Sequence, residues 1–167
     1  ILNKKDRTPI IFIHGVGLDH SIWDPQINEF DNTVLIYDIL GHGKTPLNKN
    51  DLSFDDFSGQ ILNLMDELKF NKVHLVGFSI GSLIARNFAS RFNDRLASLT
   101  LLCSIFNRSD KEQKIVNDRF EQTKKDHKLT KDALKRWFTE DFLNKNPGIS
   151  DKILNILQNN NMNNFIT

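Results

Sequence analysis

Gly77-Phe78-Ser79-Ile80-Gly81 sets a serine hydroxyl between two glycines, after the apolar run Val73-His74-Leu75-Val76 and before a helix-like run from Ile80 to Phe92. Strand, G-x-S-x-G, helix is the context in which the serine sits at the apex of a tight turn, its Oγ raised above the sheet edge. Gly77 and Gly81 suit that turn because a Cβ at either position would meet neighbouring backbone. The chemistry such a serine serves is nucleophilic attack on an acyl carbon. An ordinary surface-turn serine is the bland alternative, and the flanking strand and helix weigh against it. The same chemistry needs N–H donors for the oxyanion that forms. The backbone N–H of Ile80 is one candidate. The other is that of Val16 in the turn His14-Gly15-Val16-Gly17. Each such donor contributes about 3 kcal/mol to transition-state stabilisation.

These residues need a scaffold, and the apolar periodicity supplies one. Pro9 to Ile13, Thr33 to Tyr37 and Val73 to Val76 read as strands buried in a parallel sheet, and Leu96 to Cys103 reads as a fourth apolar strand, expected to present an open apolar edge. A short helix is expected from Trp23 to Phe30. Another opens at Ser53, with Phe54, Phe57, Ile61, Leu64, Met65 and Leu68 on its apolar face. The alternation predicts an α/β fold with right-handed crossovers and a sheet of about four strands flanked by helices. Residues 1–106 form this partial core. Residues 107–167 form a helical block, expected to lie over the strand ends as a lid. Within it, helices are expected over 110–126, 130–145 and 150–158, with Thr130 and Ser150 as caps and Pro147-Gly148 as a separator. Trp137 and Phe138 are candidates for the wall of a substrate pocket.

A base for Ser79 is harder to find. His127, the one histidine after the serine, lies in Lys124-Lys125-Asp126-His127-Lys128 and reads as a solvated surface residue. His14 and His42 sit in glycine turns and read as loop-shaping hydrogen-bonders, and His20 and His74 read as structural. Asp38 ends a strand at the same sheet edge and is expected to tie down its own loop. No acid ends the strand Leu96 to Cys103, and Cys103 is expected to be a buried thiol.

Lys plus Arg number 22 and Asp plus Glu 21, and a net charge of +1 gives no pull toward nucleic acid or an anionic membrane. No apolar run reaches transmembrane length. A single cysteine fits a reducing, cytoplasmic setting. The asparagine-rich tail reads as a loop, a frayed end or compositional bias, with no function drawn from it, and the oligomeric state is open.

Three ordered motifs together resemble the α/β-hydrolase superfamily, in its esterase and lactonase branch. They are His14-Gly15-Val16-Gly17, Asp38 with Gly41-His42-Gly43-Lys44-Thr45, and Gly77-Phe78-Ser79-Ile80-Gly81. Ile22 to Ile27, and Arg136 to Phe142 with Asn146-Pro147, are similar to the 3-oxoadipate enol-lactonases. The resemblance implies hydrolysis of a small ester or lactone with no cofactor or metal. It makes Ser79 the nucleophile, Val16 and Ile80 the oxyanion donors, and Asp38 and His42 supports that shape the site. It also implies an acid and a histidine on strands and loops beyond the lid. The chain therefore reads as a fragment with an incomplete triad and no useful activity by itself. Same-fold alternatives are a methyl-esterase or thioesterase, a carbon–carbon hydrolase and a cofactor-free peroxidase. A non-catalytic binding protein, or a short protein whose strands pair with another chain, is the alternative of another class.

Overall fold

A computed structural model describes residues 7–47, 51–126 and 132–159, and its contacts divide the chain into two compact units, Ile1–Ile105 and Phe106–Thr167. The first unit holds four parallel strands: β1 (Ile10–Ile13), β2 (Val34–Ile36), β3 (Val73–Phe78) and β4 (Leu96–Leu102). Their order is β2-β1-β3-β4. The chain leaves β1 toward one side for β2 and returns to its other side for β3, so the order reverses between β1 and β3. Ligands of open α/β sheets collect at the carboxyl ends of strands flanking such a reversal. Ile13 lies opposite Gly77 in the β1–β3 ladder, which brings His14-Gly15 alongside Phe78-Ser79.

β1 is apolar and buried at every position, as a strand covered on both faces must be. On one face Ile11, Ile13, Val73 and Leu75 pack with Ile61 and Met65 of α2 (Phe54–Glu67) and Ile84, Ala85 and Phe88 of α3 (Ile80–Arg91). On the other, Ile10, Phe12 and Val34 meet Trp23 and Ile27. A Ser53–Asp56 capping box starts α2. Arg95 fastens the far end, bonding Asp66 at 2.7 Å and the carbonyls of Phe70 and Asn71 at 2.9 Å.

Three expectations need correction here: the helix from Trp23 to Phe30, the burial of Phe54 and that of Cys103. The helix from Trp23 to Phe30 is a 3-10 turn at His20–Trp23 followed by one turn, α1 (Asp24–Ile27). Asp19 caps the former, and Pro25, which has no N–H to give, starts the latter. Phe54, the first residue of α2, is exposed. Among the described residues β4 pairs with β3 alone, and Leu99, Leu101 and Leu102 are each over a third exposed, the open apolar edge expected of this strand. Cys103, just beyond this edge, is exposed and not buried, at φ +52°.

The second unit contains α4 (Asp110–Asp126), α5 (Asp132–Trp137), α6 (Glu140–Lys145) and α7 (Pro147–Asn159). The helix expected over 130–145 is broken at Thr139, whose extended backbone and side chain cap α6 through the Phe142 N–H. Pro147 does not separate helices but begins α7, the position its missing N–H tolerates best. Leu134, Ile156 and Leu157 are buried, Phe138 stacks on Phe142, and Trp137 is exposed. Thr130, His127 and the asparagine tail from Asn160 lie outside the described residues.

Candidate active site

Ser79 stands between β3 and α3 with φ +55° and ψ −119°, a backbone that side-chain-bearing residues rarely adopt. Strain of this kind costs about 1–3 kcal/mol and needs surroundings that enforce it. They do so from several sides. The Ser79 N–H donates to the Leu102 carbonyl of β4 at 2.9 Å. The Ser79 carbonyl accepts from the N–H of Ser82 at 2.9 Å and from its hydroxyl at 2.5 Å. A methyl group on Gly77 would strike the Gly81 carbonyl, and one on Gly81 would lie 2.5 Å from the Ile13 oxygen and 2.7 Å from that of His14. Both glycines are therefore required by close approach, and α3 begins directly against the end of β1.

The loop after β1 reaches the serine. A methyl group on Gly15 would lie 3.3 Å from Ser79 Cβ and 3.1 Å from the Phe78 ring. The turn Gly15–Leu18 closes through Leu18 N–H to the Gly15 carbonyl at 3.2 Å, with Val16 inside the turn and half exposed. Ile80 opens α3, where a helix start leaves N–H groups with no intrahelical acceptor. Gly15 and Ser79 thus meet at the sheet reversal, with Val16 and Ile80 the residues that follow them in sequence.

Three histidines surround this corner, each engaged. His14 is fully buried, with Nδ1 bonding the Gly15 carbonyl at 2.8 Å and Nε2 accepting the Ile39 N–H at 3.1 Å. Because Nε2 accepts, the proton sits on Nδ1. Burial pushes the imidazole down to about 4, so it is neutral and its basic nitrogen is occupied. His42, also buried and lowered by burial, donates from Nδ1 to the Leu40 carbonyl. His20 bonds Asp38 Oδ1 twice, by its N–H at 2.8 Å and by ring Nδ1 at 2.7 Å. His74, on the β3 ladder, pairs with Ser98 at 2.7 Å.

Asp38 ties down its own loop as expected, through Lys44 N–H to Oδ2 at 2.9 Å, and Gln60 of α2 and Thr45 bond its carbonyl. Its bond to His20 in a different loop was not legible in the sequence, since neither residue carries a motif that names the other. Burial works to raise the Asp38 carboxyl, but the Lys44 and His20 N–H groups and the His20 ring outweigh it and hold it below the usual carboxylate range. Asp19, His20 and Asp38 place possible metal-ligand atoms within 4.8 Å of one another. The Asp19 carboxylate also accepts Ser21 N–H and Oγ–H, and these bonds make the cluster a hydrogen-bonded clasp.

Comparison with known proteins agrees with this fold. Residues 8–154 match the family described by the alpha/beta hydrolase fold, and the chain belongs to it. It is 29% identical over 166 residues to an (E)-2-((N-methylformamido)methylene)succinate hydrolase of Acinetobacter baylyi, covering 98% of this chain and 62% of that protein. It is 24% identical over 152 residues to 3-oxoadipate enol-lactonase 2 of the same organism, covering 90% of this chain and 57% of that one. The crystal structure of the enol-lactonase from Burkholderia xenovorans superposes with a TM-score of 0.78 at 26% identity, over 97% of this chain and 63% of that one. The chain thus spans under two thirds of the length of these relatives. No described helix is long and apolar enough to cross a membrane.

Proposed function

We propose that the protein bearing this chain hydrolyses a small carboxylic ester or lactone through an acyl-enzyme on Ser79. The Ser79 Oγ attacks the substrate carbonyl carbon while the N–H groups of Val16 and Ile80 hold the developing oxyanion. The alcohol, or the ring oxygen of a lactone, leaves with a proton, and water then releases the acid. Of the histidines described, His14 has its basic nitrogen occupied, and the ring bonds of His20, His42 and His74 run to Asp38, the Leu40 carbonyl and Ser98 and not to Ser79. The reading therefore assigns the base, and the acid that orients it, to residues outside the described segments. It uses no metal or cofactor, and the single cysteine fits a cytoplasmic enzyme.

The observation that carries the proposal is the contact between Gly15 and the strained Ser79 at the sheet reversal. It sets a turn of backbone donors beside a serine whose conformation costs stability. The names of two of the relatives, both enol-lactonases, favour the lactone class, and that of the third, a hydrolase, is in keeping with hydrolysis. The test is turnover of aryl esters and of enol-lactones by the full-length protein, with Ser79→Ala removing it.

A further inference from the structure

We infer that His20, a residue outside the three motifs, is a positioning residue for the loop that carries the Val16 donor, acting through Asp38. The inference rests on the hydrolase reading of Ser79.

That loop is held at both ends by two consecutive residues of the segment after β2. At its near end, His14 Nε2 accepts the N–H of Ile39 while Nδ1 grips the Gly15 carbonyl. At its far end, the N–H and ring Nδ1 of His20 both meet Asp38 Oδ1. Val16 lies between these anchors. The Asp38 carboxylate is itself fixed: Lys44 N–H holds Oδ2, and Gly43, at φ +51°, approaches so closely that a methyl group there would overlap the carboxylate. Gln60 ties the same segment to α2, bonding the Asp38 carbonyl at 3.0 Å and the Leu40 N–H at 3.2 Å. A chain of bonds thus runs from α2 through Asp38 and His20 to the turn lying against Ser79. The near anchor is buried, whereas His20 is over a third exposed. The acceptor of its bond is an ionised carboxylate, so the bond is charge-assisted and the stronger for it. Oxyanion donors act by being aimed before charge develops, so a loop loose at one end loses rate and not ground-state binding.

The experiment measures amide hydrogen exchange and aryl-ester kinetics in the full-length protein for wild type, His20→Leu, His20→Asn and Gly43→Ala. Asparagine offers an N–H donor near the place of Nδ1. The result expected for His20→Leu is exchange about tenfold faster over residues 15–21, with β3 unchanged, the size of effect that loss of a charge-assisted bond produces. With it kcat falls about tenfold at little-changed KM. His20→Asn restores both, and Gly43→Ala, pressing on Asp38 from the other side, reproduces the loosening. Unchanged exchange over 15–21 in His20→Leu overturns the inference. So does faster exchange with kcat intact, or an asparagine variant no better than leucine. Absence of turnover in the wild type would overturn the hydrolase reading instead, and the exchange data would still decide whether the clasp holds the loop.

Discussion

The backbone N–H of Ser79 donates to the carbonyl of Leu102 at 2.9 Å, so the strained serine is tied to the last residue of the edge strand. β4 is thereby part of the site's support, and the exposed side of the sheet and the chemistry of the elbow are linked.

Relief of that strain predicts a trade of activity for stability. Ser79→Gly removes the Cβ at φ +55° and should stabilise the fold by about 1 kcal/mol. Urea denaturation monitored by circular dichroism checks this, and a midpoint at or below that of wild type contradicts it.

The glycines divide by what surrounds them. Gly81→Ala drives a methyl group into the carbonyls of Ile13 and His14 and should cost about 2–3 kcal/mol by separating α3 from β1. Gly59, inside α2 with open space around it, is the control. Gly59→Ala should gain about 0.5–1 kcal/mol from backbone entropy. Thermal melts of the two variants should move in opposite directions.

The buried His14 sets a pH dependence. Its folded value of about 4 lies below the ordinary 6.5, so between these limits the unfolded chain takes up a proton that the folded chain refuses. Stability should be full above pH 6.5 and fall toward pH 4, by about 3 kcal/mol for a displacement of this size. His42, lowered by the same cause, adds in the same direction. The Asp38 contribution is lost at lower pH, as the solution passes through its depressed folded value. Melting temperature against pH should slope upward with pH across this window, and His14→Asn should flatten it.

The open side of β4 predicts self-association of the 167-residue chain. Leu99, Leu101 and Leu102 are exposed beside strand N–H and C=O groups, and such an edge templates pairing. Sedimentation should show mass rising with concentration, and Leu99→Lys should shift the distribution toward monomer. A wild-type chain that is monomeric at every concentration contradicts this.

What the sequence made legible follows from period and sterics. Continuous apolar runs at Ile10–Ile13 and Val73–Val76 identified buried parallel strands, and Gly77 and Gly81 marked the turn because no other residue fits there. Local signals failed where two compete. Thr130 and Thr139 are both of a residue type that favours caps, and the break at Thr139 depends on a bond to Phe142 that spacing does not reveal. Cys103 reads as buried because it closes an apolar run, but it lies just beyond the open edge strand and is exposed. The His20–Asp38 pair joins loops from two separate crossovers, a contact made by topology and not by pattern.

The most direct test of the central claim is mass spectrometry of the full-length protein after reaction with a fluorophosphonate, an acyl-transfer transition-state mimic. The account predicts one adduct, on the peptide containing Ser79, with labelling and ester turnover both lost in Ser79→Ala. An adduct on another residue, or ester turnover that survives Ser79→Ala, contradicts it.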